Sequence, residues 1–424
     1  MVPEPLVGGV RLISRWWQSR RAVIWTSAVL AFVIRMGACF VLKSYEFNPW
    51  RDHYAFGYQW GRIAKWLAET HMYTVDGTSA AIIAEPVYVF VIAAFFYLFG
   101  SFTTSAALGL IMFQSLLCSL AAWLIFILAE RIYGPLEARI ASLLFAFYPA
   151  SIFFAVGRIG PSILTIVLLC LIFLLTFTLA DSARLRTAII AGFLTGSLML
   201  LTGFQAFSVA LIVPLWLLWV SKNQRLHMLM VSLIFLGSTI VVLIPWVIRN
   251  SLVTGQPTIG QTGLEGHLWR GNNPDATGYT LIRFPGGGPG PEDHVYLQMA
   301  MSWIADHPKD FVLLTLKRII IFWSIIPRNG STVELLTALV FMIATALGII
   351  GALWPGERSE RVWLLLLFVT IFPILFYVTV ISHYRYRFFV EPFMLILASR
   401  GIHRLWEILS RPAVVAHPAT TLST

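Results

Sequence analysis

The stretch Pro86-Val87-Tyr88-Val89-Phe90-Val91-Ile92-Ala93-Ala94-Phe95-Phe96-Tyr97-Leu98-Phe99-Gly100 decides the fold. It is apolar, opens on a proline that suits a first helical turn and closes on a glycine, so it reads as a helix. A helix this short rises only about 21 Å, less than the ~30 Å hydrocarbon core of a bilayer. Whether it crosses or lies flat sets the sidedness of everything after it.

Composition already chooses the solvent. Of 424 residues, 58% are hydrophobic and 12% charged, against about 25% charged in an average soluble domain. That excludes a water-soluble globule, a disordered chain, a disulfide scaffold and a collagen-like fibre, and leaves an all-α polytopic membrane protein. Arg11, Arg15, Arg20 and Arg21 precede the apolar run 22–42, which reads as an uncleaved first span. Cys39, Cys118 and Cys170 sit in apolar runs without metal-ligand spacing and read as small buried hydrophobes.

Positive charge then arbitrates the sidedness of 86–99. If that helix stays outside, spans at 105–129, 140–157, 162–180, 188–201, 206–220 and 228–246 return three short basic loops to the cytoplasm. These carry Arg131 and Arg139, Arg184 and Arg186, and Lys222 and Arg225; the opposite choice exports all of them, against the inside bias of Lys and Arg. Spans at 335–353, 362–381 and 388–402 complete about ten, and 311–326 reads as a helix dipping into the outer surface. A further amphipathic helix at 53–69 lies on that surface. Under this threading the cytoplasmic side holds 15 of the 30 basic residues but only 7 of the 20 acidic ones. Most of the net charge of +10 is therefore an orientation signal, and no nucleic-acid partner is implied.

The chemistry-bearing residues fall on the outer side. Asp52 and His53 stand at the mouth of the first span, where Asp52 is placed either to cap the surface helix or to act as a general base. Outer cations run against the charge bias and call for a reason: Arg158, Arg249, Lys317, Arg318, and the run His383-Tyr384-Arg385-Tyr386-Arg387. Guanidinium groups suit bidentate phosphate binding, and snorkelling to headgroups is the plain alternative. Arg35, inside the first span, is expected to pair with an acid or reach the outer cavity. The outer histidines, His267, His294, His307 and His383, lack metal spacing, so no cofactor is firmly predicted and a divalent metal stays open without support. Gly286-Gly287-Gly288 reads as a flexible loop.

Several strings, taken together, resemble the bacterial family 39-like glycosyltransferases of the GT-C superfamily, with the protein mannosyltransferases and the lipid A aminoarabinose transferases. They are Asp52 before a surface helix, Pro86-Val87-Tyr88 closing on Leu98-Phe99-Gly100, Pro245-Trp246-Val247-Ile248-Arg249-Asn250, Gly271-Asn272-Asn273-Pro274, and Tyr386-Arg387-Phe388 before the last span. The resemblance covers most of the chain, from about 52 to 391. It implies a GT-C transmembrane core over 22–247 containing a first outer loop at 43–104, after a cytoplasmic tail at 1–21. An outer segment at 248–330, C-terminal spans over 331–408 and a cytoplasmic tail at 409–424 complete the chain.

In function, the resemblance implies transfer of a sugar from a polyprenyl-phosphate donor to a lipid, protein or polysaccharide acceptor at the outer face of a bacterial plasma membrane, with inversion. Asp52 would be the base, Glu85 a second acid, and Arg385, Arg387, Lys317, Arg318, Arg249 and Arg158 the donor-phosphate cations. His53, Gln59, Tyr88, Arg270, Asn272, Asn273 and Tyr384 would line the cavity. Two positions depart from the family pattern: Gln59 stands where relatives often carry glutamate, and Glu85 where they often carry a small residue. A flippase for polyprenyl-linked glycans and a catalytically silent envelope-assembly subunit are the other two classes. The first needs the same outward cations, and the second gains weight from Gln59.

Overall fold

The first long apolar run forms α1 (Arg20–Val41), its start capped by Ser19, whose hydroxyl accepts from the Ala22 N–H. The structure, a computed structural model, describes residues 17, 19–46, 58–82, 84–255, 264–278, 293–323, 332–354, 359–379 and 384–410. Outside the membrane-length helices, the amphipathic surface helix is α2 (Tyr58–Thr70). The deciding stretch is α3 (Pro86–Phe99), with Pro86 in its first turn and Gly100 ending it at φ 87°, a left-handed value that glycine adopts without strain.

The protein folds α3 back along its neighbour. It leads into α4 (Thr104–Ile132) and lies along that helix's first part: Tyr88 donates to Gln114, and the Phe95 and Phe113 rings meet at 5.8 Å. At the far end of α4, Glu130 pairs with Arg20 at the start of α1. The two long helices thus run antiparallel, and the segment between them enters and leaves at one end of the bundle.

An apolar run at 140–157 reads as one span, and here the structure differs. It is two helices, α5 (Pro135–Phe147) and α6 (Pro149–Val156), bent by 48°. Pro149 has no N–H for the preceding turn, so carbonyls of Phe145 and Ala146 lose their helical donors. Arg35 replaces them: fully buried, it donates to Ala146 O at 2.9 Å, Phe145 O at 3.2 Å and Ser151 Oγ at 2.5 Å, as well as to Ala31 O in its own helix. Its partners are these carbonyls and a hydroxyl, in place of the expected acid or outer cavity.

The chain continues through α7 (Ser162–Ser182), α8 (Leu185–Thr202), a 3-10 turn (Gly203–Ala206), α9 (Phe207–Val220) and α10 (Arg225–Thr254). Close approach of α8 to α10 depends on Gly192 and Gly196, where a Cβ would overlap the Phe235 and Thr239 carbonyls. Helix α10 runs eight residues past the expected end at 246, carrying Pro245 inside it. The domain boundary expected at 248 therefore falls within a helix. Beyond it come three shorter outer helices, α11 (Leu264–Gly271), α12 (Asp293–Asp306) and α13 (Pro308–Trp323), then α14 (Thr332–Leu353), α15 (Glu360–Thr379), the single turn α16 (Tyr384–Arg387) and α17 (Glu391–Leu409).

Each of the ten expected spans is helical over most of its described length. Among the described residues, six helices are long and apolar enough to cross a membrane, or seven with α5 and α6 taken as one bent span. Of the remaining expected crossings, α9 is shorter and α17 more polar, and α15 is a 20-residue apolar helix. Among the described residues the extended pairing is the isolated bridge between Thr74 and Ala80.

Charge segregates along the bundle. One end gathers Arg20 with Glu130, Arg361 with Asp181, and Arg400 and His403 with the buried Glu137. These are the residues that the charge bias assigns to a single side. The opposite end holds the loops expected on the outer face.

Candidate functional site

At that opposite end the first outer loop is gripped by α10. Arg249 donates to the carbonyls of Ala81 and Tyr73, and its guanidinium lies 5.0 Å from the ring centres of both Tyr73 and Trp246. Tyr73 in turn donates from its hydroxyl to Ala84 O at 3.0 Å. Burial, and then the nearby Glu85 carboxylate, push the Tyr73 phenol well above its usual range despite Arg249, so it remains a protonated donor. Glu85 caps α3 without a side-chain bond to that helix. Its carboxylate instead rests on Gly203 at the end of α8, in space that any side chain there would fill, and Gly203 has φ 69°.

A buried amide joins this loop to the helices behind it. Gln114 accepts from Tyr88 Oη at 2.5 Å and from Gly160 N at 2.9 Å, and donates to Ala155 O at 2.6 Å and Arg158 O at 3.1 Å. All of its amide valences are thus spent on α3 and the α6–α7 connection. Trp60 of α2 packs edge-on against Tyr88 at 6.4 Å. Next to α2, Asp76 organises a turn by accepting from the N–H groups of Thr78 and Ser79 at 2.9 and 3.1 Å, which hold its carboxyl below the usual range.

The second outer segment is tied down by asparagines. Asn272 Nδ2 donates to Leu268 O and Asn273 Nδ2 to Trp269 O, closing the end of α11, and Asn273 Oδ1 accepts from Asp275 N. Asn272 Oδ1 accepts from Arg318 Nη2 at 2.6 Å, and both residues are fully buried. Burial pushes the Arg318 guanidinium down to about 10, which leaves it charged at neutral pH. Burial also lowers that of Arg270, offset by neighbouring Tyr386. Lys317, one residue from Arg318, is exposed.

Arg387 is set deeper. Its Nε donates to Glu391 Oε1 at 2.9 Å, its Nη1 reaches Phe322 O at 3.5 Å, and its guanidinium centre sits 4.1 Å from the Phe341 ring centre. Only 8% of the residue is exposed.

The expected site residues thus separate by placement. Glu85, Tyr88, Arg158 and Arg249 converge on the first outer loop and its supports. Arg270, Asn272, Asn273, Lys317 and Arg318 belong to the second outer segment, and Arg387 to the single turn α16 just before α17. The bond from Arg318 to Asn272 ties the end of α11 to α13. Asp52, His53 and His383, with the side chains of Gln59, Tyr384 and Arg385, lie outside the described residues, as do Gly286-Gly287-Gly288. Among the described residues no group of three or more His, Cys, Asp or Glu is arranged around a metal position.

Sequence reasoning passed over Tyr73, Gln114, Tyr148, Gly203 and Glu391. Two had a readable signal: Gln114 is an amide within an apolar helix, and Glu391 follows Arg387 by four residues, the spacing of a helical ion pair.

Comparison with known proteins bears on the fold. The sequence model of the family described as Dolichyl-phosphate-mannose-protein mannosyltransferase matches residues 83–248. No curated protein matches the sequence. Among solved structures, the apo oligosaccharyltransferase of Archaeoglobus fulgidus superposes with a TM-score of 0.56 at 13% identity, covering 92% of this chain and 51% of the other. The same organism's AglB, in complex with an inhibitory peptide and a dolichol-phosphate, gives 0.53 at 14%, covering 92% and 50%. ArnT from Cupriavidus metallidurans bound to undecaprenyl phosphate gives 0.54 at 14%, covering 89% and 60%. The chain shares its fold with these oligosaccharyltransferase and ArnT structures. The chain spans about half the length of the oligosaccharyltransferase and three fifths that of ArnT.

Proposed function

We propose that the protein is an integral membrane glycosyltransferase that moves a sugar from a polyprenyl-phosphate carrier to an acceptor hydroxyl at the outer face of a bacterial plasma membrane. The observation that carries this reading is the shared fold. About nine tenths of the chain superposes on transferases, two of them solved with a polyprenyl-type lipid phosphate. The outer end of this chain supplies matching chemistry, with cations on two loops and carboxylates among them.

In the proposed reaction the acceptor oxygen attacks the anomeric carbon while the bond from that carbon to the donor phosphate breaks. Asp52 takes the hydroxyl proton, and the carrier leaves as the lipid phosphate. One displacement inverts the anomeric centre and needs no covalent enzyme intermediate. Arg387, Arg385 and Lys317 are the cations we assign to the leaving phosphate, whose developing charge they would stabilise. Glu85, resting on Gly203, is the second acid near the same loop.

The test is sugar transfer in vesicles from a polyprenyl-phosphate sugar. Asp52→Asn should lower turnover about 10²–10⁴-fold, the range for loss of a general base, while leaving donor binding in place. Unchanged turnover would remove Asp52 from the mechanism. A parent protein that moves the intact donor across the bilayer without transferring sugar would establish the flippase reading instead.

A further inference from the structure

The break between α5 and α6 presents a side chain that the proposed reaction does not use. Tyr148 sits at the junction, 3% exposed, beside the carboxylate of Glu391, also 3% exposed, in the first turn of α17. Tyr148 Oη and Glu391 Oε2 are both buried and have no other hydrogen-bond partner among the described residues, so the phenol and the carboxylate are left to interact with each other. Glu391 Oε1 holds Arg387 through Nε at 2.9 Å, and Phe341 takes the face of the same guanidinium. Around the pair, Phe388, Phe389, Val390 and Phe393 are all buried and apolar.

A buried ion pair in such surroundings is a weak source of stability, since an apolar pair of similar volume often does as well. Its placement points to a different use. A guanidinium fixed at its Nε edge, on one face and at Nη1 by Phe322 O has little freedom left, and the carboxylate of Glu391 sets its orientation. Prior fixing of a cation removes the ordering that a phosphate would otherwise have to impose.

We propose that Glu391, steadied by Tyr148 at the helix break, is a positioning residue that aims Arg387 at the phosphate of the lipid donor; this rests on the donor-phosphate role assigned to Arg387 in the proposed reaction. The pair brings the broken span and the last helix to bear on one group. Removing the carboxylate leaves the guanidinium buried and unaimed, so donor affinity falls while the chemical step, which Glu391 does not touch, keeps its rate.

The experiment uses the full-length protein in nanodiscs, with binding of undecaprenyl phosphate and steady-state transfer both measured. Arg387→Ala and Glu391→Gln should each weaken undecaprenyl phosphate binding about ten- to a hundredfold, the range expected for one charged hydrogen bond. In Glu391→Gln the donor KM should rise by the same factor with kcat little changed, and Glu391→Asp, which keeps the charge, should recover most of the loss. Tyr148→Phe should move binding in the same direction by a smaller factor, and it decides the matter if Glu391→Gln does not fold. Glu391→Gln or Tyr148→Phe binding the lipid as tightly as the parent, or more tightly, would overturn the proposal while leaving Arg387 in place. Unaltered binding in Arg387→Ala would remove both, and a parent that does not bind undecaprenyl phosphate would overturn the functional reading itself.

Discussion

Arg35 illustrates how one residue can be read correctly as costly and still be misassigned. A charge inside an apolar span calls for partners, and the natural expectation is an acid. Its actual acceptors are Phe145 O, Ala146 O and Ser151 Oγ, and the two carbonyls are available only because the chain breaks at Tyr148-Pro149. No pattern local to the first span could have signalled acceptors more than a hundred residues away. Replacement by leucine should strip the broken helix end of its charged donors, at about 1.5–3 kcal/mol for each such bond. We expect Arg35→Leu to lose its monodisperse peak in detergent at temperatures the parent survives, with Arg35→Lys in between, because an ammonium cannot match the planar fork. A leucine variant as heat-resistant as the parent would show that the break holds without it.

At the scale of elements, the turn at Asp76 carries a pH dependence. A carboxyl held below its ordinary range stays ionised, with its bonds to Thr78 N and Ser79 N intact, until pH falls through that lowered value. The order it contributes is therefore present at neutral pH and persists near pH ~4, where a free aspartate is half protonated. Amide exchange at Thr78 and Ser79 should remain slow there and quicken throughout in Asp76→Ala; loss of protection centred on the ordinary aspartate range would contradict the assignment. Elements differ in how legible they are. Helix α3 follows from Pro86 and Gly100 because cap chemistry is local. Pro149 is the available sign of the break, and Pro245 is the same residue in α10 with the opposite outcome, since the helix continues to Thr254. Neighbours that re-satisfy freed backbone groups decide which way a membrane proline goes, and that is tertiary information. The candidate site follows suit: its residue types stand out in the sequence, but the links from Asn272 to Arg318 and from Glu85 to Gly203 are contacts between distant segments.

For the whole molecule, the segregation of charge to the two ends implies a labelling pattern. Cys39, Cys118 and Cys170 are fully buried, so the parent should react little with a membrane-impermeant maleimide. Single cysteines at exposed Thr78 and at exposed Arg184 should then label from opposite faces of intact cells, Thr78 from outside. Labelling of both from one face would refute the threading. Helix α10 adds a mechanical consequence. Its 30 residues rise about 45 Å, well beyond the hydrocarbon core of ~30 Å, and Ile240, Val241, Ile244 and Ile248 are exposed along it. Such a helix accommodates the mismatch by tilting, and near its outer end Arg249 clasps Ala81 and Tyr73, beside Glu85. Membrane thickness is thereby made an input to the outer loop: as acyl chains lengthen and α10 stands more upright, the lever it forms carries the loop with it.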